Sequence, residues 1–192
     1  PKINIFCKAS FTHGLGHLIR QIHIANEFRN QNKEVCFYIP KIQTAIDILK
    51  QYNFSYSVIE NFDSVPTIRT EDTEITVLDI HDTTRTFIEN LKKKCKKIIS
   101  FEDQGEGRNC VDLLIDCNLK PEDSQTISSH TKTLFGLSYS VLEPEFGKLH
   151  LGQRNFQNQI QSLLITFGGT DPYNITPDLV KHIPNKIQTT II

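Results

Sequence analysis

Short apolar runs alternate with stretches of helical spacing along most of this chain. Ile3–Cys7, Glu34–Ile39, Ser55–Ile59, Ile75–Asp79, Ile98–Phe101 and Leu113–Asp116 read as strands. Between them, Leu18–Asn30, Ile42–Tyr52 and Thr83–Cys95 carry helical patterns, the first with Leu18, Ile22, Ala25 and Phe28 on one face. Several strands are near-continuous apolar runs, as expected where helices cover both faces of a sheet. The alternation predicts right-handed βαβ units and an α/β, Rossmann-like parallel sheet flanked by helices. Ligands of such sheets bind beyond the carboxyl ends of the strands.

The rhythm lapses over polar Asn61–Thr73 and Lys120–Thr131, and again over Gly147–Gln161. It restarts at Leu163–Phe167, followed by a Gly168-Gly169-Thr170-Asp171-Pro172 turn, a helical stretch at Pro177–His182 and a last strand at Ile187–Ile192. The expected organisation is a first domain over 1–147, a linker over 148–161 and the truncated start of a second Rossmann-like domain over 162–192. The chain ends on what reads as an internal strand, so a fragment is expected.

Composition narrows the function classes. A charged fraction of 22% and a hydrophobic fraction of 38% suit a globular chain rather than a disordered one. The formal net charge of −1 points to neither nucleic acid nor an acidic membrane surface. The basic run at Lys92–Lys97 closes a predicted helix, where cations complement the helix dipole. Five scattered cysteines without CxxC spacing predict free thiols, a reducing cytoplasmic setting and no zinc site. No apolar run approaches membrane-spanning length.

The strand ends carry the chemistry. After the first strand comes Thr12-His13-Gly14-Leu15-Gly16-His17-Leu18-Ile19-Arg20. Gly14 and Gly16 let the backbone approach a ligand closely, and a helix start presents unpaired N–H groups to an anion. The helix start also disfavours an imidazolium, which suits His17 as a proton acceptor. Asp79-Ile80-His81-Asp82, then Glu102-Asp103-Gln104-Gly105-Glu106-Gly107, then Asp116 and Gly168–Asp171 close the later strands. Plainer readings stand beside these: Asp82 or Thr83 as a helix cap, Asp103 with its glycines as a turn, and Asp171-Pro172 or Thr176-Pro177 as a helix start. His13 and His17 lie four apart, but the intervening glycines argue against a shared helical face, and no HExxH completes a metal motif.

Taken in order, these segments resemble a known family. Gly14-Leu15-Gly16-His17-Leu18-Ile19-Arg20, Phe101-Glu102-Asp103-Gln104-Gly105-Glu106-Gly107, Gly136-Leu137-Ser138-Tyr139 with Leu142 and Glu145-Phe146, and Phe167–Pro172 are similar to patterns of the spore-coat polysaccharide protein SpsG and of PseG, the UDP-sugar hydrolase of pseudaminic acid synthesis. The resemblance implies a glycosyltransferase-B-like fold of two Rossmann-like domains, of which this chain would be the N-terminal portion. It implies a nucleotide-sugar substrate hydrolysed at the anomeric carbon with inversion, His17 acting as general base, and neither metal nor cofactor. Gly14, Gly16 and Arg20, once turned to the cleft, would face the diphosphate. Asp79, His81, Glu102 and Asp103 would line the sugar side, and Tyr139, Gly168, Gly169, Thr170 and Asp171 would complete the substrate site. The chain departs from the pattern at Asp79-Ile80-His81, where many relatives have Asp-x-Tyr, and at Asp116-Cys117-Asn118. A glycosyltransferase and a nucleotide-sugar-binding domain without turnover are the alternative readings.

Overall fold

A computed structural model describes residues 2–8, 15–60, 62, 73–124, 126–148, 159–167, 171 and 173–192. Seven parallel strands form one sheet: β1 (Lys2–Cys7), β2 (Glu34–Pro40), β3 (Ser55–Ile59), β4 (Thr73–Asp79), β5 (Lys97–Phe101), β6 (Leu113–Asp116) and β7 (Lys132–Phe135). Their spatial order is β3-β2-β1-β4-β5-β6-β7. The chain thus winds outward from β1 in one direction and returns to build outward in the other, so the order reverses between β1 and β4. That reversal opens a crevice at the carboxyl ends of the two strands, where doubly wound sheets bind ligands.

Helices cover both faces, as the apolar runs require. Leu18, Ile22 and Ala25 of α1 (Gly16–Asn30) and Ala45, Ile46 and Leu49 of α2 (Gln43–Gln51) pack with Ile3, Ile5, Val35, Phe37 and Val77. Phe87, Ile88 and Leu91 of α3 (Arg85–Lys92) pack on the opposite face with Phe6, Leu78, Ile98 and Leu114. Ile5 and Phe6 point to different faces because successive strand residues alternate. Each such fully buried Leu, Ile or Phe side chain contributes about 1.5–3 kcal/mol through removal of apolar surface from water.

The Rossmann-like α/β class expected of the chain is the observed one, and the predicted strands and helices agree within a few residues. One strand escaped the pattern: β7 is four residues long and half-exposed, with no alternation or run to announce it. The α3 cap also differs from expectation. Thr84, rather than Asp82 or Thr83, accepts the Phe87 backbone N–H at 3.2 Å. A four-residue α4 (Pro121–Ser124) precedes β7, and short 3-10 turns follow it at Leu137–Tyr139 and Pro144–Lys148. Beyond these, β8 (Ser162–Ile165) and β9 (Gln188–Ile191) pair in parallel around α5 (Thr176–Val180), forming a two-stranded sheet of their own. All five cysteines are free thiols. Among the described residues, no helix is long and apolar enough to cross a membrane.

Candidate functional site

Register brings the first two groups together. Cys7, at the end of β1, pairs with Asp79, at the end of β4, and the Asp79 carbonyl accepts the Lys8 N–H at 3.1 Å. The Asp79 side chain therefore lies at the crevice, beneath the start of α1. His17, Arg20 and Gln21 are three and four residues apart, so one face of α1 presents all three to it. His17 Nδ1 lies 2.7 Å from Asp79 Oδ1, Arg20 donates from Nη2 to Oδ1 at 2.8 Å and from Nε to Oδ2 at 2.9 Å, and Gln21 Nε2 donates to Oδ2 at 2.8 Å.

Asp79 is buried, and a buried carboxylate persists as an anion only when paired and hydrogen-bonded. Burial pushes its pKa up, but the bonds from His17 and Arg20 and the Arg20 charge outweigh this, and the carboxyl sits below its ordinary range. As an acceptor only, the ionised carboxylate requires Nδ1 of His17 to carry the hydrogen. The Arg20 Nη2 contact to the same nitrogen at 3.0 Å is then proximity rather than a second hydrogen bond. In the neutral ring Nε2 is left as the acceptor. The His17 side chain is 30% exposed, so this edge can be reached by a ligand.

Arg20 also reaches a second carboxylate. Its Nη1 lies 2.8 Å from Glu102 Oε2, and its guanidinium sits over the Phe101 ring, 5.5 Å from the centroid. Glu102 is the first residue after β5 and takes a left-handed backbone conformation, φ 48°. Such a conformation costs a non-glycine residue about 1–2 kcal/mol, and here it is held by its surroundings. The Glu102 N–H donates to Ile115 O at 2.9 Å, while Oε1 accepts from Cys117 Sγ at 2.8 Å and Asn118 Nδ2 at 3.2 Å. Burial raises the Glu102 pKa, and the bonds from Cys117 and Arg20 bring it below the ordinary value. Desolvation lowers the Arg20 pKa, yet its two carboxylate partners raise it overall.

The remaining candidates divide. His81 is exposed, and its Nδ1 donates to the Glu102 carbonyl at 3.2 Å, placing the ring at the same sheet edge but outside the Asp79 cluster. Asp103 is fully buried and engaged otherwise. It accepts the backbone N–H groups of Thr83 at 3.0 Å and Gly105 at 2.9 Å, and the hydroxyls of Thr83 and Ser100. The turn reading describes it: Asp103 latches the loop after β4 to the turn after β5. Asp171 caps the start of α5, accepting from the backbone of Ile175 at 3.0 Å and Thr176 at 2.8 Å. Tyr139 is exposed in the turn after β7. Among the described residues, a Cβ on Gly16 would meet nothing within 4 Å. Gly14, Gly168, Gly169 and Thr170 lie outside the described residues.

The Arg20 guanidinium, expected to face a diphosphate, lies against the carboxylates of Asp79 and Glu102. Three residues that the sequence reading did not assign to the site belong to the cluster: Gln21, Cys117 and Asn118. Gln21 is a polar residue on the otherwise apolar face of α1, and Asn118 follows a strand end; strand-end position was the signal available for the latter.

Comparison with known proteins places the fold more firmly than the chemistry. The chain superimposes over its whole length on the crystal structure of Acinetobacter baumannii MurG with a TM-score of 0.53 at 9% identity, spanning 66% of that chain. It is 26% identical, over 194 aligned residues, to the uncharacterized protein MJ1062 of Methanocaldococcus jannaschii. That alignment spans 96% of this chain and 40% of the archaeal protein. No protein-family model matches the chain.

Proposed function

We propose that this chain carries the general-base half of an enzyme that hydrolyses a nucleotide-activated sugar at the anomeric carbon. The observation that carries the reading is the Asp79–His17 pair at the sheet's reversal point, with Nδ1 directed onto the carboxylate at 2.7 Å. His17 Nε2 would take a proton from water as the water oxygen bonds to the anomeric carbon and the bond to the departing diphosphate breaks. Asp79 would hold the ring in the productive tautomer and offset the positive charge the ring gains. Arg20 is assigned a positioning role, fixing Asp79 and Glu102 rather than gripping phosphate.

Attack with inversion puts the base and the leaving group on opposite sides of the sugar carbon. With His17 as base, the leaving diphosphate lies away from the α1 N-terminus. Its recognition is assigned to Gly168, Gly169 and Thr170, a glycine-containing segment that follows an apolar run in the sequence. The partition into 1–147, 148–161 and 162–192 belongs to the same proposal, with the second unit supplying that wall. The likeness to SpsG and PseG motifs favours water as nucleophile and a UDP-linked amino-sugar as substrate. The likeness to MurG, a glycosyltransferase-B superfamily member, favours a second reading in which a sugar hydroxyl takes the place of water.

The test is nucleotide release by the full-length protein from a panel of UDP-sugars, with and without carbohydrate acceptors, followed by proton NMR of the anomeric product. Release without acceptor and with inverted configuration is expected. Release that depends on an acceptor selects the transferase. Binding without release of any kind removes the catalytic role from His17.

A further inference from the structure

A second feature of the same sheet edge has its own chemistry. A cavity of about 440 Å³ opens beside the ends of β5 and β6, walled by Gln104, Arg108, Asp116, Asn118, Leu119 and Asp123. Its volume falls in the range of small-molecule sites. Asp116, at the end of β6, is buried. Its Oδ1 accepts the N–H groups of Asn118 at 2.9 Å and Leu119 at 3.1 Å, and its Oδ2 accepts Gln104 Nε2 at 3.2 Å. These bonds fix the walls before any ligand arrives, which lowers the ordering cost of binding.

The lining identifies the ligand class. One cation, Arg108, faces two carboxylates, Asp116 and Asp123, so the formal balance is negative and opposes a phosphate. Arg108 has no ion-pair partner among the described residues; its recorded bond is a long one, 3.4 Å, to Gln104 Oε1. Amide, guanidinium and carboxylate groups together offer both donors and acceptors, which is what a hydroxyl, itself both donor and acceptor, requires. Leu119 supplies an apolar surface for ring C–H groups. The cavity also adjoins the candidate base: Asn118 Nδ2 binds Glu102 Oε1 at 3.2 Å, and Glu102 Oε2 lies 2.8 Å from the Arg20 that holds Asp79.

We infer that this cavity is a carbohydrate-ring subsite in which Gln104, Arg108 and Asn118 select hydroxyl groups. The inference rests on the nucleotide-sugar reading for its biological sense but is measured independently of turnover. The probe is free N-acetylglucosamine added to the isotopically labelled full-length protein and followed by amide NMR, with inorganic pyrophosphate as competitor. Sugar-dependent shifts are expected at Gln104, Asn118 and Leu119. Arg108→Ala and Asn118→Ala, both away from the sheet core, should each weaken binding about three- to tenfold, the scale of a lost hydrogen bond. Pyrophosphate should not displace the sugar. Shifts elsewhere, unchanged affinity in both variants, or displacement by pyrophosphate would overturn the subsite. If nucleotide release occurs while the sugar shifts avoid the cavity, the subsite fails and the hydrolase reading stands. Sugar binding in the cavity without any release gives the reverse.

Discussion

Asp79 and Asp103 stand at the ends of adjacent strands of one sheet, both buried, yet their surroundings push them in opposite directions. Asp79 receives side chains from another element, His17, Arg20 and Gln21, and its pKa falls. Asp103 receives backbone N–H groups and hydroxyls from neighbouring loops; burial pushes its pKa up, and those bonds do not cancel the rise. A strand-end carboxylate is thus chemically ambiguous until its donors are known. Donors that are themselves titratable and partly exposed make a site, whereas backbone donors make a latch.

The strongest way to break this contrast is to measure turnover. In the full-length protein His17→Ala should lower kcat for nucleotide release about a hundredfold or more, the scale of a lost general base. Asp79→Asn should fall close to it, because an amide can present its N–H to Nδ1 and stabilise the wrong tautomer. Asp103→Asn should stay within about threefold of wild type while lowering Tm, since it loses bonds to Thr83 rather than to the reacting groups. Equal losses from Asp79→Asn and Asp103→Asn, at matched Tm changes, would make both carboxylates structural.

Packing separates the two regions next. An added Cβ on Gly105 would lie 2.2 Å from the Thr83 carbonyl oxygen, and one on Gly107 would lie 2.8 Å from Ile88 and 2.9 Å from the Thr84 carbonyl. These glycines let the turn that holds Asp103 sit against the loop after β4. Gly105→Ala should therefore cost about 3 kcal/mol in urea unfolding, the upper end of ordinary overpacking. Gly16→Ala should leave stability within about 1 kcal/mol, since its Cβ meets nothing among the described residues and alanine favours a helix. A stable Gly105→Ala protein would mean that the latch yields easily.

Kinetic form tests Arg20. A residue that holds Asp79 in place lowers kcat with little change in KM, while a phosphate-gripping residue raises KM. Arg20→Ala should lower kcat about tenfold or more, the scale of general acid–base catalysis that depends on its positioning. Arg20→Lys should recover only part of this, since an ammonium cannot reproduce the fork that spans both oxygens of Asp79 and reaches Glu102. A raised KM at unchanged kcat would return Arg20 to the phosphate role.

Much of this was legible from residue order, for identifiable reasons. Ile3–Cys7 and Ile98–Phe101 are apolar runs whose burial leaves them few other conformations, so strands and their polar ends could be placed. The pairing of His17 with Asp79, 62 residues apart, depends on β4 lying beside β1, which hydrophobic pattern does not encode. Asp82, Thr83 and Thr84 offer three capping oxygens in succession, and the choice of Thr84 follows from Thr83 being engaged by Asp103. Gln21 was hidden because one polar residue on an apolar helix face carries no period of its own. Arg20 was visible, but its partners were not.

The smallest effect concerns acid stability, where the two aspartates should differ in sign. Asp79 has a folded pKa below its ordinary 3.8, so its stabilising contribution is complete above 3.8 and disappears as pH falls through the folded value. Asp103 has a folded pKa above 3.8, so it costs stability at neutral pH, and that cost vanishes as pH falls below 3.8. Urea unfolding from about pH 6 to about pH 3 checks this against each Asn variant. The stability of wild type relative to Asp79→Asn should shrink as pH falls, because the variant has no carboxylate to protonate. Relative to Asp103→Asn, wild type should gain over the same interval. Glu102 titrates in every protein compared but feels the Asp79 charge, so the Asp79→Asn difference reads these two carboxylates together. Parallel trends in the two comparisons would erase the distinction between site and latch that the hydrogen-bond donors draw.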